Sequence, residues 1–141
     1  MRLVLLAVIS IGCATGYQAS GITGGYSEAR LSERAFRVTF EGNGYTTQDR
    51  AQRGAIRRAA ELAFQNGYFG FWVGGQNNNV DTHLFSQPMT CNGSQCTGGT
   101  VTAVEKPTAV LTVNLVTEDE ARQAPPYVVV YEASTVLSQG F

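Results

Sequence analysis

Few side chains in this 141-residue chain invite chemistry: three cysteines, one histidine and the residues around them. Cys91 and Cys96 enclose Asn-Gly-Ser-Gln, a turn-forming spacer. In an oxidising compartment such a pair closes a hairpin tip as a disulfide. Metal is the sharper alternative, with Asp81 and His83 as further ligands, because zinc thiolates come in pairs roughly two to four residues apart. No second Cys or His pair accompanies them, and no cofactor is expected. Asp81 and His83 would share one side of a strand, where a carboxylate can orient an imidazole. A small hydrolase or metal-dependent enzyme built on them would draw its nucleophile from Ser86 or Ser94, and neither has an elbow-like setting. A surface histidine is the simpler account.

Cys13 offers a different chemistry. Met1-Arg2 gives a positive start, Leu3 to Ile9 is a continuous apolar run, and Ser10-Ile11-Gly12 leads into the cysteine. The run is far shorter than the ~20 apolar residues of a spanning helix and reads as a secretory leader. Gly before Cys is the order that lipoprotein processing requires. The thiol takes a diacylglyceryl group, and cleavage then exposes the Cys13 amine. Ser10 departs from this pattern, since an aliphatic residue is usual there. The alternative is an ordinary signal peptide cut elsewhere, leaving a secreted periplasmic protein with Cys13 incidental. One acyl chain anchors only marginally, whereas two or three hold durably. Ala14 rather than Asp follows the cysteine, which favours the outer membrane, facing the periplasm.

Arg50, Arg53 and Arg57 fall on one helical stripe, with Arg58 beside it and Glu61 spaced to pair with Arg57. This stripe is either a solvated face or a docking surface for acidic headgroups or an envelope protein. The net charge of −1 leaves no basic excess for a nucleic-acid backbone, so nucleic acid is not an expected partner. Gly42-Asn43-Gly44 before a helix has the look of an anion-binding turn. Thr47 stands where a third glycine would complete the dinucleotide pattern, and no P-loop lysine follows. A plain strand-to-helix turn is the reading.

The elements that must position these groups follow from hydrophobic period. Residues 1–12 read as the signal peptide, residues 13–33 as a lipidated start and flexible Gly/Ser/Thr-rich tether, and residues 34–141 as one domain. Gly24-Gly25-Tyr26-Ser27 is a stretch that can already dock on that domain. Phe36, Val38 and Phe40 alternate with Arg37, Thr39 and Glu41 as in a half-buried strand. From Thr47 to Asn66, Ala51, Ala55, Ala59, Leu62 and Ala63 recur at helical spacing. Ile56, Ala60 and Phe64 widen that stripe, and Asn66-Gly67 stops the helix. Tyr68 to Val73 reads as a buried strand ended by Gly74-Gly75, its aromatics Tyr68, Phe69, Phe71 and Trp72 serving as core. Gln76 to Asn79 reads as an exposed loop, and residues 80–104 as two weak strands around the cysteine tip. Thr108 to Val116 is a strand of β-branched residues. Tyr127 to Val130 is extended, and Glu132 to Gln139 a short helix. The expected fold is α+β: one long helix packed on a small, largely antiparallel sheet.

Gly24-Gly25-Tyr26-Ser27, Phe36-Arg37-Val38-Thr39-Phe40, Gly42-Asn43-Gly44-Tyr45-Thr46, Arg58-Ala59-Ala60-Glu61-Leu62 and Gly67-Tyr68 together resemble a family of uncharacterised small bacterial lipoproteins of the Caulobacter type. The match spans roughly residues 13 to 73, with Tyr131-Glu132-Ala133 near the end, and leaves residues 74–107 outside. The resemblance implies an exported, lipid-anchored domain and carries no catalytic residues. The expected function is therefore that of a non-enzymatic binding or structural module of the cell envelope.

Overall fold

The long helix is dictated by its own sequence. Between Gln48 and Gln65 the only β-branched residue is Ile56, no proline intervenes, and the Thr47 hydroxyl accepts from the Arg50 amide at its start. Asp49 in the first turn complements the dipole. This helix, α1 (Gln48–Gln65), buries Ala51, Gly54, Ala55, Ala59, Ala60, Leu62 and Ala63. Small side chains let it lie close on a sheet, and that is where it packs.

The computed structural model describes residues 13–141, and the leader expected over residues 1–12 lies outside them. Strands β1 (Gly25–Arg30), β2 (Ala35–Glu41), β3 (Gly70–Ser86), β6 (Val101–Val116) and β7 (Val130–Glu132) form one sheet, in the order β1-β2-β6-β3-β7. All of its strand pairs are antiparallel. Two short strands, β4 (Thr90–Asn92) and β5 (Gln95–Thr97), pair at a tip of their own. Helices α2 (Glu118–Arg122) and α3 (Ala133–Ser138) complete an α+β fold with one long helix on an antiparallel sheet, as the periodicity anticipates.

Register fixes the core. Phe36 faces Val113, Val38 faces Leu111 and Phe40 faces Ala109 across β2 and β6, all on the helix side and all buried. Phe71 enters from β3 and stacks on Tyr131 of β7, ring centroids 5.2 Å apart. Of the four aromatics expected in the core at 68–72, Phe71 alone is fully buried; Tyr68, Phe69 and Trp72 are half-exposed. Phe64 is corrected too. It lies beyond Ala60 on the helical wheel, away from the sheet, and is 68% exposed.

Three further expectations give way. Residues 13–33 are not a free tether. Residues 25–30 are strand β1, paired with β2 along its whole length, and Ala19 bridges Tyr26. The Gly/Ser-rich composition concealed this strand because its side chains are largely exposed; backbone pairing, not an apolar face, holds it. Gly74-Gly75 does not end β3. The register shifts between Val73 and Gly75, so the glycines mark a bulge through which the strand continues to Ser86. Gln76 to Asn79, expected as a loop, is strand because β6 supplies a pairing partner for each residue. Helix α2, also not foreseen, begins at a Thr117/Glu120 capping box, a signal present in the sequence.

Beyond Thr108, where β2 stops pairing with β6, β3 and β6 continue alone as a two-stranded ribbon. Seven residues at 3.3 Å per residue give an arm of about 23 Å before the β4–β5 tip.

Candidate functional site

The first described residues are built into the domain. Thr15 is 2% exposed, its amide donating to Thr46 Oγ1 (2.9 Å) and its hydroxyl to the Thr23 carbonyl (2.9 Å). The Asn43 amide in turn donates to Thr15 Oγ1 (2.8 Å), and the Asn43 side chain donates to the Cys13 carbonyl (3.1 Å). Cys13 itself is exposed. The turn Gly42-Asn43-Gly44 is thereby explained. The Gly42 amide donates to the Pro107 carbonyl, Tyr45 to Asn43 Oδ1 and Thr46 to the Asn43 carbonyl. Those amides are spent inside the protein, which makes this a docking turn for the chain after Cys13 rather than an anion cradle. A side chain at Gly44 would meet Val104 Cγ1 at 2.5 Å, so glycine allows the loop to rest on the arm's base.

The arginine stripe takes a different form from either expectation. Arg53 is exposed and pairs with Asp49 (3.1 Å). Arg50 donates to the Thr15 carbonyl (3.2 Å) and its guanidinium lies over Phe141, 4.6 Å from the ring centroid. Arg57 lies over Tyr17 and donates to the Gln139 carbonyl (3.0 Å). These two arginines clamp the segment around Thr15 and Tyr17, and the C-terminal residues Gln139 and Phe141, onto the helix. Tyr17, Phe40 and Phe141 meet in one aromatic cluster beneath them. The terminal segments cover a flank that helical period alone assigns to solvent.

Arg58 is the most engaged cation. It reaches Glu28 of β1 (2.8 Å) and Glu61 one turn on (2.8 Å), and lies over Tyr26. Its side chain is 13% exposed. These hydrogen bonds, Glu28 first, raise the Arg58 pKa further against the opposing effect of burial, and Arg58 holds the Glu28 carboxyl below its ordinary range. Burial, reinforced by the neighbouring Glu61 carboxylate, pushes the Tyr17 phenol up.

Between α1, β7, α3 and the C-terminus lies a cleft of about 410 Å³, lined by Arg53, Arg57, Tyr131, Glu132 and Phe141 among others. A second, of about 610 Å³, opens beside Trp72 and Arg34. Arg34 pairs with Glu120, whose carboxyl is lowered to about 2 by that bond and by the Thr117 amide.

Comparison with known proteins finds no matching family model, curated protein or solved structure. The site is therefore read from its own geometry. Cys91 and Cys96 oppose each other in the β4–β5 pair and are disulfide-bonded. Asp81 and His83 share one side of β3, both exposed, and Asp81 accepts from the Asn79 side chain (3.1 Å). Across the ribbon they face Lys106 and Val104, and no cluster of three or more metal-ligating side chains occurs among the described residues. Ser86 and Ser94 are exposed as well. Sequence reasoning missed Arg58 as the joint between helix and β1, because its acidic partner lies 30 residues away. It also missed the ends-on-helix clamp. The aromatic residues at 17 and 141 were its only signal.

Proposed function

We propose that this chain is a cell-envelope lipoprotein, acylated at Cys13 and held at the outer membrane facing the periplasm. Its domain serves as a non-enzymatic module that binds or braces another envelope component. One observation carries the reading: the apolar run closed by Gly12-Cys13 meets, within two residues, a segment built into the domain through Thr15 and Asn43. Acyl chains on an exposed Cys13 would leave directly from the domain surface. The hairpin disulfide suits an oxidising compartment. The cleft beside Arg53 supplies the concave, part-apolar and part-charged surface that such a module needs.

Intact-mass measurement on protein from the membrane fraction tests the anchor. A diacylglyceryl group on an N-terminal Cys13 is the expected result, with Cys13→Ser passing to the soluble fraction while remaining folded. An unmodified Cys13, or a cut downstream of it, would sink the reading.

A further inference from the structure

The arm formed by β3 and β6 carries an unusual surface. From Leu84 to Val104 the sequence holds no Asp, Glu, Lys or Arg across 21 residues. Over this stretch Leu84, Phe85, Met89 and Val101 are exposed, at 57–69%. Leu84 faces Ala103 and Ser86 faces Val101, so Leu84 and Val101 share the ribbon face that continues the core side of β6 beyond the helix. The charged residues of the ribbon, Asp81, Glu105 and Lys106, stand at its base. Among the described residues these side chains stay open to solvent, and a two-stranded ribbon alone is marginal in water.

The position of Cys13 says what covers it. β2 runs out of the sheet at Glu41, opposite Thr108, and the arm leaves from that same end. The loop that follows binds the Cys13 carbonyl through Asn43, meets Pro107 through the Gly42 amide, and rests on Val104 at Gly44. A lipid on Cys13 would therefore bring the bilayer to the foot of the arm. The ribbon is longer than the headgroup layer, which is about 5–8 Å on each side. Its unpaired strand edges bar it from the hydrocarbon core. An arm that meets the bilayer from that foot would therefore do so along its surface.

Building on the lipoprotein reading, we propose that the uncharged outer half of the β3–β6 arm is a second membrane contact, laid along the bilayer with the face that carries Leu84 and Val101 in the headgroup–acyl boundary. The acyl chains hold the protein; the arm fixes its orientation, which a single anchoring point leaves free. The contact is apolar rather than electrostatic, so it does not depend on anionic headgroups.

The test uses the full chain, processed in cells and reconstituted into phosphatidylcholine vesicles with and without brominated acyl chains. With Trp72→Phe as background, a single tryptophan is placed at Leu84 (Leu84→Trp) or, at the opposite end of the sheet, at Leu31 (Leu31→Trp). Val101→Trp, on the same ribbon face, replaces the first probe if that variant misfolds. The arm probe is expected to lose most of its emission in brominated vesicles and the Leu31 probe none. Equal quenching at both sites, or none in the arm, overturns the proposal. A probe shielded from aqueous iodide but blind to brominated lipid, in a protein that sediments as a dimer, would assign the arm to a second copy and equally overturn it. Intact mass on the same samples separates the two readings. Acylated Cys13 with an unquenched arm rejects the arm contact alone, whereas unmodified Cys13 rejects the anchor and the arm with it.

Discussion

Arg58 Nη2 lies 2.8 Å from Glu28 Oε1, joining the middle of α1 to a strand that composition alone would place in a tether. The same guanidinium holds Glu61 and covers Tyr26. One side chain thus locks β1, and with it the start of the domain, onto the helix. Arg58→Ala removes both pairs and leaves two half-buried carboxylates. The expected cost is about 2 kcal/mol, between the ~0–1 of exposed pairs and the ~3–5 of fully buried ones. Arg53→Ala, at an exposed pair, is expected to change stability by about 0.5 kcal/mol or less. Replacing Arg50, Arg53 and Arg57 together should destabilise the protein, because two of the three hold Thr15, Tyr17, Gln139 and Phe141 on the helix. Chemical denaturation of the variants checks the order; equal effects of Arg58→Ala and Arg53→Ala would contradict it.

Acid should release the same joint. The Glu28 carboxyl is lowered from its ordinary 4.5, chiefly by the hydrogen bond from Arg58. A depressed folded-state value contributes stability that is fully present above 4.5 and is lost as pH falls through the lower, folded value. The stability gap between the native protein and Glu28→Gln is therefore expected to be constant at neutral pH and to shrink below 4.5. Urea titrations at a series of pH values measure it, and a gap that widens on acidification would reverse the assignment.

Gly54 sets two effects against each other. Alanine in a helix interior is favoured over glycine by roughly 0.5–1 kcal/mol. A Cβ at this position, however, would sit 2.4 Å from Phe40 Cδ2, in a ring that is fully buried. Overpacking a core typically costs ~1–3 kcal/mol, so Gly54→Ala should be net destabilising. Ala59→Arg, which drives charge and volume into the same helix–sheet contact, should be worse still. A raised melting temperature for Gly54→Ala would show that Phe40 has room to move.

The Cys91–Cys96 bond closes so short a loop that chain entropy gives it only about 2 kcal/mol. It lies in the β4–β5 pair, where every residue is exposed. Cys91→Ala with Cys96→Ala is expected to speed amide exchange in residues 84–104 and to leave exchange in β1 and β2 unchanged. Slowed folding of the whole sheet would show that the tip matters to the core.

The sequence alone determined what depends on local period and local capping. The alanine stripe of α1, the Thr47 cap and the alternation of Phe36, Val38 and Phe40 each state their structure within a few residues. So does the strand over Thr108 to Val116, and the Asn-Gly-Ser-Gln spacer prefigured the cysteine tip. Only the tertiary structure decided what depends on a distant partner. β1 and the outer half of β3 are strands because another strand offers its backbone groups, and side-chain composition says little about that. Thr15, Tyr17, Gln139 and Phe141 lie against α1 and turn Arg50 and Arg57 from a solvated stripe into a clamp, while Glu28 of β1 makes Arg58 a joint. A helical wheel sorts residues by angle, but which angles meet water is settled by whatever else the chain lays against them.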